Sequence, residues 1–324
     1  MKARYGWHRI AAGLLLAVGL AGCELDEVTI PPGEDLLVVE SILDARRPVQ
    51  FVVLHHTLNG RVVGGEEGAQ VRVRRGDGFE VLFTESPPEA CMTVDTLYTG
   101  GEAAVDVRAT CYVSPAPAGY WVVPGEEYEL LVETVDGKRL EGRTMVPGQY
   151  ELIGLADEAK SPLGGVGRCV LPPETPLPLQ WSVSSGARAY LTYMRVEGLS
   201  DALQGTGIPN IPDVVTLFGI SASESDTSIV IPNQVGVFER QNYDNELMLA
   251  LHNGFPEGVR VHILLGAMDR NYVNAIRVDN FHPSGPTRVS SIRGDGAGIF
   301  GSFVPYAFEM EVQRGGGPGC IAGG

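Results

Sequence analysis

Runs that alternate between apolar and polar side chains are the feature that most constrains how this chain folds. Val71–Arg74 puts two valines on one face of an extended strand and two arginines on the other. The glycines of Gly76–Gly78 then turn the chain into a second run, Phe79–Phe83, a pattern typical of a hairpin. Tyr128–Val132 alternates in the same way. A period of two residues predicts half-buried strands, so the chain is predicted to be mainly β.

Glycine and proline mark the turns between these strands. The 324 residues include 42 glycines and 22 prolines, which favours many short elements and disfavours a helical bundle. We interpret 36–148 as an Ig-like β-sandwich, because short β-branched runs follow one another there with turn residues between them. Tyr128 follows Pro124 and Gly125 near the start of a late strand, which is the place of the tyrosine corner in such folds.

The second half of the chain is predicted to form a β-rich C-terminal domain over 179–314, after a linker or long loop at 149–178. One short helix is predicted at 269–278, where Tyr272 and Ile276 are four residues apart. The other predicted segments are strands at 179–183, 189–196, 228–231, 246–251, 259–265 and 308–312, a loop at 280–301 and a Gly-rich tail at 315–324.

The first 22 residues have the layout of a lipoprotein signal peptide. Three basic residues precede the apolar run Ile10–Leu20, which is too short to span a bilayer comfortably. Leu20–Cys23 then matches the bacterial lipobox, in which the cysteine is lipidated and becomes the N-terminus. Cys23 is therefore predicted to anchor the chain in the outer membrane. No later stretch approaches ~18 uninterrupted apolar residues, so the sequence predicts no transmembrane helix.

Acidic residues follow the predicted anchor, over 23–35. This segment is either a solvated tether or a sorting signal that resembles the surface-export signal of Bacteroidota-type lipoproteins. We therefore expect the anchored protein to be exposed at the cell surface, with the periplasmic face of the outer membrane as the alternative location. The signal peptide holds three of the 24 basic residues and none of the 40 acidic ones, so the rest of the chain has a formal net charge of −19. Such a charge excludes nucleic acid as an expected partner.

Four cysteines remain besides Cys23, namely Cys91, Cys111, Cys169 and Cys320. Export favours disulfides, and four cysteines allow three pairings. Cys91 and Cys111 lie 20 residues apart around a glycine turn, which favours a local staple. The other two would then tie the middle of the chain to its C-terminal region. Free buried thiols are the alternative, and the lack of a C-x-x-C motif disfavours zinc.

Motifs for catalysis, cofactors or metals are missing from the sequence or lack their structural context. Gly296–Gly301 formally matches the dinucleotide fingerprint, but Ser302–Pro305 does not begin the helix that this motif needs. His55 and His56 adjoin a predicted strand, so their rings should point to opposite faces and not share a metal. The sequence has no nucleophile elbow and no calcium-loop motif. We therefore predict a non-enzymatic protein without catalytic, cofactor-binding or metal-binding residues.

Four aromatic residues of the second half are candidates for a ligand site: Trp181, Tyr190, Tyr193 and Phe218. Aromatic platforms bind sugars or partner proteins, whereas the same side chains can instead fill the core of a sandwich. The sequence leaves both interpretations open.

Several features recur in a particular order along the chain. They are the lipobox at Cys23, the opening strand Leu37–Glu40, the segment Pro124–Leu130 and the closing pattern Ser290–Gly301, in which Ser291 stands in place of the usual asparagine. Together they resemble an outer-membrane lipoprotein family of Bacteroidota, domain-of-unknown-function family 4249. The resemblance implies an accessory of a TonB-dependent receptor in ligand capture or uptake. The alternatives are a structural or adhesive envelope protein that makes only protein contacts, and a surface hydrolase.

Overall fold

The computed structural model describes residues 27–29, 35–58, 61–92, 108–115, 119–160, 165–236, 243–281 and 287–322. The predicted signal peptide, the lipidation site Cys23 and most of the predicted tether lie outside these residues. Strands make up most of the regular structure, so the prediction of a mainly β chain is confirmed.

Helices are few and short among the described residues. They are the α-helices α1 (Pro88–Met92), α2 (Leu199–Ala202), α3 (Asn245–His252) and α4 (Arg270–Phe281), and a 3-10 helix at Asp157–Ala159. The strands are β1 (Glu27–Thr29), β2 (Asp35–Asp44), β3 (Phe51–Leu58), β4 (Arg61–Gly65), β5 (Gln70–Arg75), β6 (Glu80–Ser86), β7 (Thr110–Val113), β8 (Glu127–Glu133), β9 (Arg139–Met145), β10 (Leu152–Ile153), β11 (Gly167–Leu171), β12 (Leu177–Trp181), β13 (Ala189–Glu197), β14 (Val214–Ile220), β15 (Ser228–Ile231), β16 (Arg260–Met268), β17 (Thr287–Val289), β18 (Ile292–Gly294) and β19 (Ala297–Val312).

The first half of the chain forms a sandwich of two β-layers. Strands β2, β3 and β7 pair in one layer, and β5, β8, β9 and β18 pair in the other. Strand β6 pairs with β5 through its first part and with β7 through its last part, and so connects the layers. Val39 and Leu54 of the first layer share one buried cluster with Val73 and Leu130 of the second. The predicted β-sandwich is thus present.

Tyr128 forms hydrogen bonds typical of a tyrosine corner, at the position that the sequence predicts for one. Its hydroxyl donates to the carbonyl of Trp121 at 2.8 Å and accepts from the backbone N–H of Val123 at 2.8 Å. The ring is buried and packs edge-on against Trp121, with 5.9 Å between ring centroids. One side chain therefore satisfies two backbone groups of the segment that precedes β8.

Replacing Tyr128 by phenylalanine should destabilise the protein by about 1–3 kcal/mol, because it removes the donor to the buried Trp121 carbonyl and the acceptor of the Val123 N–H. Urea unfolding of Tyr128→Phe measures the effect. The matched control is Tyr120→Phe, since the Tyr120 side chain is 45% exposed and the same change there should cost under about 0.5 kcal/mol. Equal unfolding free energies for the two variants would contradict a stabilising role for the corner.

The second half of the chain forms another pair of β-layers. Strands β14, β13, β16, β19 and β11 make up the larger layer, and β10, β12 and β15 make up the smaller one. Tyr190 and Leu265 from the larger layer and Leu179 and Trp181 from the smaller one are buried in a common cluster. This region is β-rich, as the sequence predicts.

Strand β19 belongs to both halves. Residues 297–303 pair in parallel with β2, and residues 303–311 pair antiparallel with β16. The loop predicted at 280–301 is therefore wrong, because β17, β18 and the start of β19 lie there. At Gly298, a Cβ atom would lie 1.9 Å from the carbonyl oxygen of Val39, so the glycines permit close strand approach. They do not form the phosphate turn of a dinucleotide site.

Helix α4 confirms the helix predicted at 269–278, whereas the strand predicted at 246–251 is wrong. That segment is helix α3, whose first turn is capped by the Asp244 carboxylate, which accepts from the N–H of Glu246 at 2.8 Å. Leu247, Met248 and Leu251 are its buried side chains. A short apolar run does not distinguish a strand from a buried helix by periodicity alone.

The ranges expected as linker and tail contain ordered backbone. Strands β10 and β11 and the first part of β12 lie within 149–178. The tail runs beside β11, where the N–H of Val170 donates to the carbonyl of Pro318 at 2.8 Å and that of Cys320 donates to the carbonyl of Val170 at 3.1 Å. The Gly-rich tail thus covers the outer edge of β11.

Asp269 is a buried carboxylate at the junction of α4, β9 and β19. One oxygen accepts from the N–H groups of Tyr272 and Ser302, at 2.9 and 3.1 Å. The other accepts from the Thr144 hydroxyl at 2.8 Å, and that hydroxyl lies 2.7 Å from the Ser302 hydroxyl. Burial raises the pKa of Asp269 above its ordinary value of 3.8, although these hydrogen bonds act in the opposite direction.

The raised pKa of Asp269 predicts that Asp269→Asn changes the stability of the protein by an amount that depends on pH. The folded chain holds this proton more tightly than the unfolded chain, so the wild-type protein loses stability as the pH rises from 3.8 through the raised value. The neutral amide avoids that loss, so the stability of the variant relative to wild type should increase over the same range. Urea titrations from about pH 4 upward test this. Asp157→Asn is the control, because the Asp157 side chain is 93% exposed. If the stability of Asp269→Asn relative to wild type fell as the pH rises, the prediction would be contradicted.

Candidate functional site

Two disulfides join the four cysteines that lie within the described residues. Cys91 pairs with Cys111, with 5.8 Å between Cα atoms, and Cys169 pairs with Cys320, with 4.8 Å. The predicted disulfides Cys91–Cys111 and Cys169–Cys320 are both confirmed, and the alternative of free thiols is wrong. The fifth cysteine of the chain, the lipobox residue Cys23, lies outside the described residues.

The four candidate aromatics do not lie on one surface. Trp181 and Tyr190 are buried between the layers of the second half, with ring centroids 5.2 Å apart. Tyr193 is buried in a different cluster, with Phe218 packed against that cluster. The Tyr190 hydroxyl accepts from the N–H of Ser184 at 2.8 Å. Trp181, Tyr190 and Tyr193 therefore fill the interior.

An open cleft of about 400 Å³ lies where β4 ends beside the junction of β6 and α1. We call it the Glu85 cleft and define it by Gly65, Glu67, Glu85, Arg108 and Thr110. Pro87 and Pro88 form part of its wall. The disulfide between Cys91 of α1 and Cys111 of β7 holds this wall to the sheet. No sequence motif singles out these residues.

The register of β3 creates the cleft. Strand β7 pairs with Phe51–Leu54 and β4 with His55–Leu58 on the same side of β3, so β4 and β7 follow one another along that side. A β-bulge between His56 and Thr57 shifts the β4 register. Gly65 then abuts Thr110, where a Cβ atom would lie 2.2 Å from the Thr110 hydroxyl oxygen and 2.7 Å from its backbone nitrogen.

Glu85 has a fixed carboxylate. Its Oε2 accepts from the N–H of Gly68 at 2.7 Å and lies 3.4 Å from the hydroxyl of Tyr112. That hydroxyl also donates to the carbonyl of Glu66 at 2.7 Å and accepts from the N–H of Ala69 at 3.0 Å. Burial raises the pKa of Tyr112 to about 12, with Glu85 and Glu66 adding to the effect. The Tyr112 hydroxyl is therefore protonated at neutral pH and fixes the loop that carries Glu66 and Glu67.

His56 lies next to this loop, between two carboxylates. Its Nδ1 is 3.0 Å from Asp35 Oδ1 and its Nε2 is 2.8 Å from Glu66 Oε2. A neutral imidazole has one N–H, so both contacts are hydrogen bonds only in the protonated ring. His55 is buried, whereas His56 contacts Asp35 of β2 and Glu66 of the loop. The described part of the chain contains no group of three or more His, Cys, Asp or Glu residues placed to hold a metal ion.

Comparison with known proteins assigns no family. No family model matches the chain, and no curated protein matches it. Among solved structures, it is similar to a DUF4785 family protein from Legionella pneumophila, at 8% identity over 70% of this chain and 51% of that one, with a TM-score of 0.21. It is also similar to the fibronectin(III)-like modules of Clostridium thermocellum CbhA, at 11% identity over 86% of this chain and 94% of that one, with a TM-score of 0.20. The resemblance to family 4249 therefore stays a prediction.

The described helices are too short to cross a membrane. The longest of them, α4, has 12 residues, and none of the helices in the described ranges is long and apolar enough to cross a bilayer. Attachment through Cys23 stays a prediction from the lipobox.

Gly65→Ala should destabilise the protein by about 1–3 kcal/mol, because the new methyl group must displace the backbone at Thr110. Gly64→Ala is the matched control in the same strand, since no heavy atom lies within 4 Å of its added Cβ. We expect a change within about 0.5 kcal/mol for the control. Thermal and urea unfolding of both variants measure the difference, and a Gly64 variant as unstable as the Gly65 variant would contradict the close packing.

Proposed function

We propose that this protein is a lipid-anchored outer-membrane protein, exposed at the cell surface, that captures a ligand as a non-enzymatic accessory of a TonB-dependent receptor. The use of its cysteines carries the proposal. Four of the five form disulfides, which are characteristic of exported proteins, and the fifth is the lipobox residue Cys23. This distribution supports export followed by lipidation at Cys23.

Capture of a ligand is supported by the Glu85 cleft. It is concave and of ligand size, and its charged residues come from segments fixed by the sheet and by a disulfide. The formal charge of −19 after the signal peptide and the acidic segment at 23–35 support a body that is held away from the membrane in solvent. The resemblance to family 4249 supports a receptor as the partner.

Replacing Cys23 by serine should abolish lipid attachment, because the hydroxyl does not take the place of the acylated thiol. We expect no incorporation of radiolabelled palmitate and loss of the protein from the outer-membrane fraction. The control is the double variant Cys91→Ser/Cys111→Ser, which removes two thiols and leaves the lipobox intact, and which should keep its label. A labelled, membrane-bound Cys23→Ser protein would contradict the anchor.

The receptor partnership is tested by affinity purification of the lipoprotein from detergent-solubilised outer membranes. Recovery of a TonB-dependent receptor, and slower growth of a deletion strain on one class of nutrient, are the expected results. Purification without a receptor, together with a deletion strain altered only in envelope integrity or adhesion, would favour the structural alternative and overturn the proposal.

A further inference from the structure

We propose that one edge of the first sandwich faces the lipid headgroups of the outer membrane, and that the Glu85 cleft lies on the side of the sandwich far from the lipid. We call this edge the anchor edge and define it by β18 and residues 295–298, which lead from β18 into β19. The inference rests on the proposed function only in that Cys23 carries the lipid anchor.

Strand β1 determines where the anchor joins the body of the protein. It pairs antiparallel with β17, with Glu27 opposite Val289 and Thr29 opposite Thr287. The chain that precedes Glu27 therefore leaves β1 beside Val289, and β18 begins three residues after Val289. Strand β17 also contacts helix α4, so β1 is attached to the body through β17. The anchor thus enters the body next to the anchor edge.

The segment between the anchor and β1 is short. Cys23 precedes Glu27 by four residues, and an extended chain advances by at most ~3.6 Å per residue, so the two Cα atoms lie within about 14 Å of each other. If the first attachment were instead β2, which begins at Asp35, the same limit would be about 43 Å, and the body would be free to turn over the membrane. The pairing of β1 with β17 therefore restricts the orientation of the anchored body.

The Glu85 cleft lies at the opposite edge of the same sandwich. Its strand β6 comes first in the order β6, β5, β8, β9 and β18, so four strand spacings of about 4.8 Å, or ~19 Å, separate β6 from β18. The other layer agrees, because the start of β19 pairs with β2 at one end, and β7, which contains the cleft residue Thr110, pairs with β3 at the other. The reach from Glu27 to Cys23 is shorter than this width, so the lipid lies at the anchor edge and not at the cleft.

The surface of the anchor edge suits lipid headgroups. Arg293, Gly294 and Asp295 are exposed, whereas the Ile292 side chain is buried. Among the described residues of 290–300, no large apolar side chain is exposed. This edge therefore contacts polar headgroups without inserting into the hydrocarbon, and attachment depends on the acyl chains of Cys23. The rest of the body stays in solvent.

The test is fluorescence quenching of the full-length lipoprotein in vesicles of phosphatidylethanolamine and phosphatidylglycerol that contain a lipid with a nitroxide on its headgroup. A bimane label is attached to one introduced cysteine, either Arg293→Cys at the anchor edge or Glu67→Cys at the cleft, both at exposed positions. We expect quenching to be about twofold or more stronger at position 293, since ~19 Å of sheet separates the two edges. Equal quenching, or stronger quenching at position 67, would overturn the inference.

The role of β1 is tested by adding Glu27→Pro/Val28→Pro to both labelled proteins. Adjacent residues of an antiparallel strand donate alternately toward the partner strand and away from it, so one of these two donates to β17, and proline removes both donors. We expect the difference in quenching between the two positions to disappear. The matched control Glu27→Gln/Val28→Ala keeps both N–H groups and should keep the difference. A difference that survives in the proline variant would contradict the orienting role of β1.

Circular dichroism melts check that the labelled variants fold. Arg139→Cys replaces Arg293→Cys if that variant does not fold, because the Arg139 side chain is 73% exposed on β9, the strand next to β18. Failure of the proposed function is distinguishable. A protein without the lipid would lack the palmitate label, and the inference would fall with the anchor, whereas a palmitate-labelled, membrane-bound protein with equal quenching at both positions contradicts the orientation alone.

Discussion

The pairing of β19 on both of its edges is the interaction on which the rest of the structure depends. Its first part adds a parallel strand to β2, and its second part lies between β16 and β11. Each pairing satisfies backbone groups that would otherwise be buried without partners. A single 16-residue strand serves both sandwiches, and one buried cluster contains side chains from both of them.

The two disulfides stabilise different parts of this structure. In the chain-entropy account, closing a loop of 151 residues between Cys169 and Cys320 stabilises the fold by about 5 kcal/mol, against about 3 kcal/mol for the 20 residues between Cys91 and Cys111. The longer closure also holds the tail along β11, which would otherwise present an open strand edge. The shorter one fixes α1 beside the Glu85 cleft. One disulfide thus protects the sheet and the other shapes the candidate site.

Sequence patterns correctly predicted the parts of the fold that depend on residues close together in the chain. Alternation placed Val71 and Val73 on a fully buried face, and Tyr128 was placed correctly by the turn before it. The β19 region was missed because its glycines signal a loop, and its parallel partner β2 lies about 260 residues earlier in sequence. The cleft was missed for a related reason. Glu85 and Arg108 carry no motif, and only the β3 register and a β-bulge bring their segments together with Gly65.

The cleft lies where one strand ends and the next begins along the same edge of β3. Along one side of β3, β4 stops where β7 begins, and the contact between Gly65 and Thr110 leaves no room for a side chain at that point. Charged side chains from β6 and from the segments that flank β4 and β7 then surround the gap. The base of the cleft is paired backbone, whereas its rim is made of loop and strand-end residues. In the proposed function, the close contact of Gly65 with Thr110 would set the shape of the cleft, and the charged residues at its rim would decide which ligand binds.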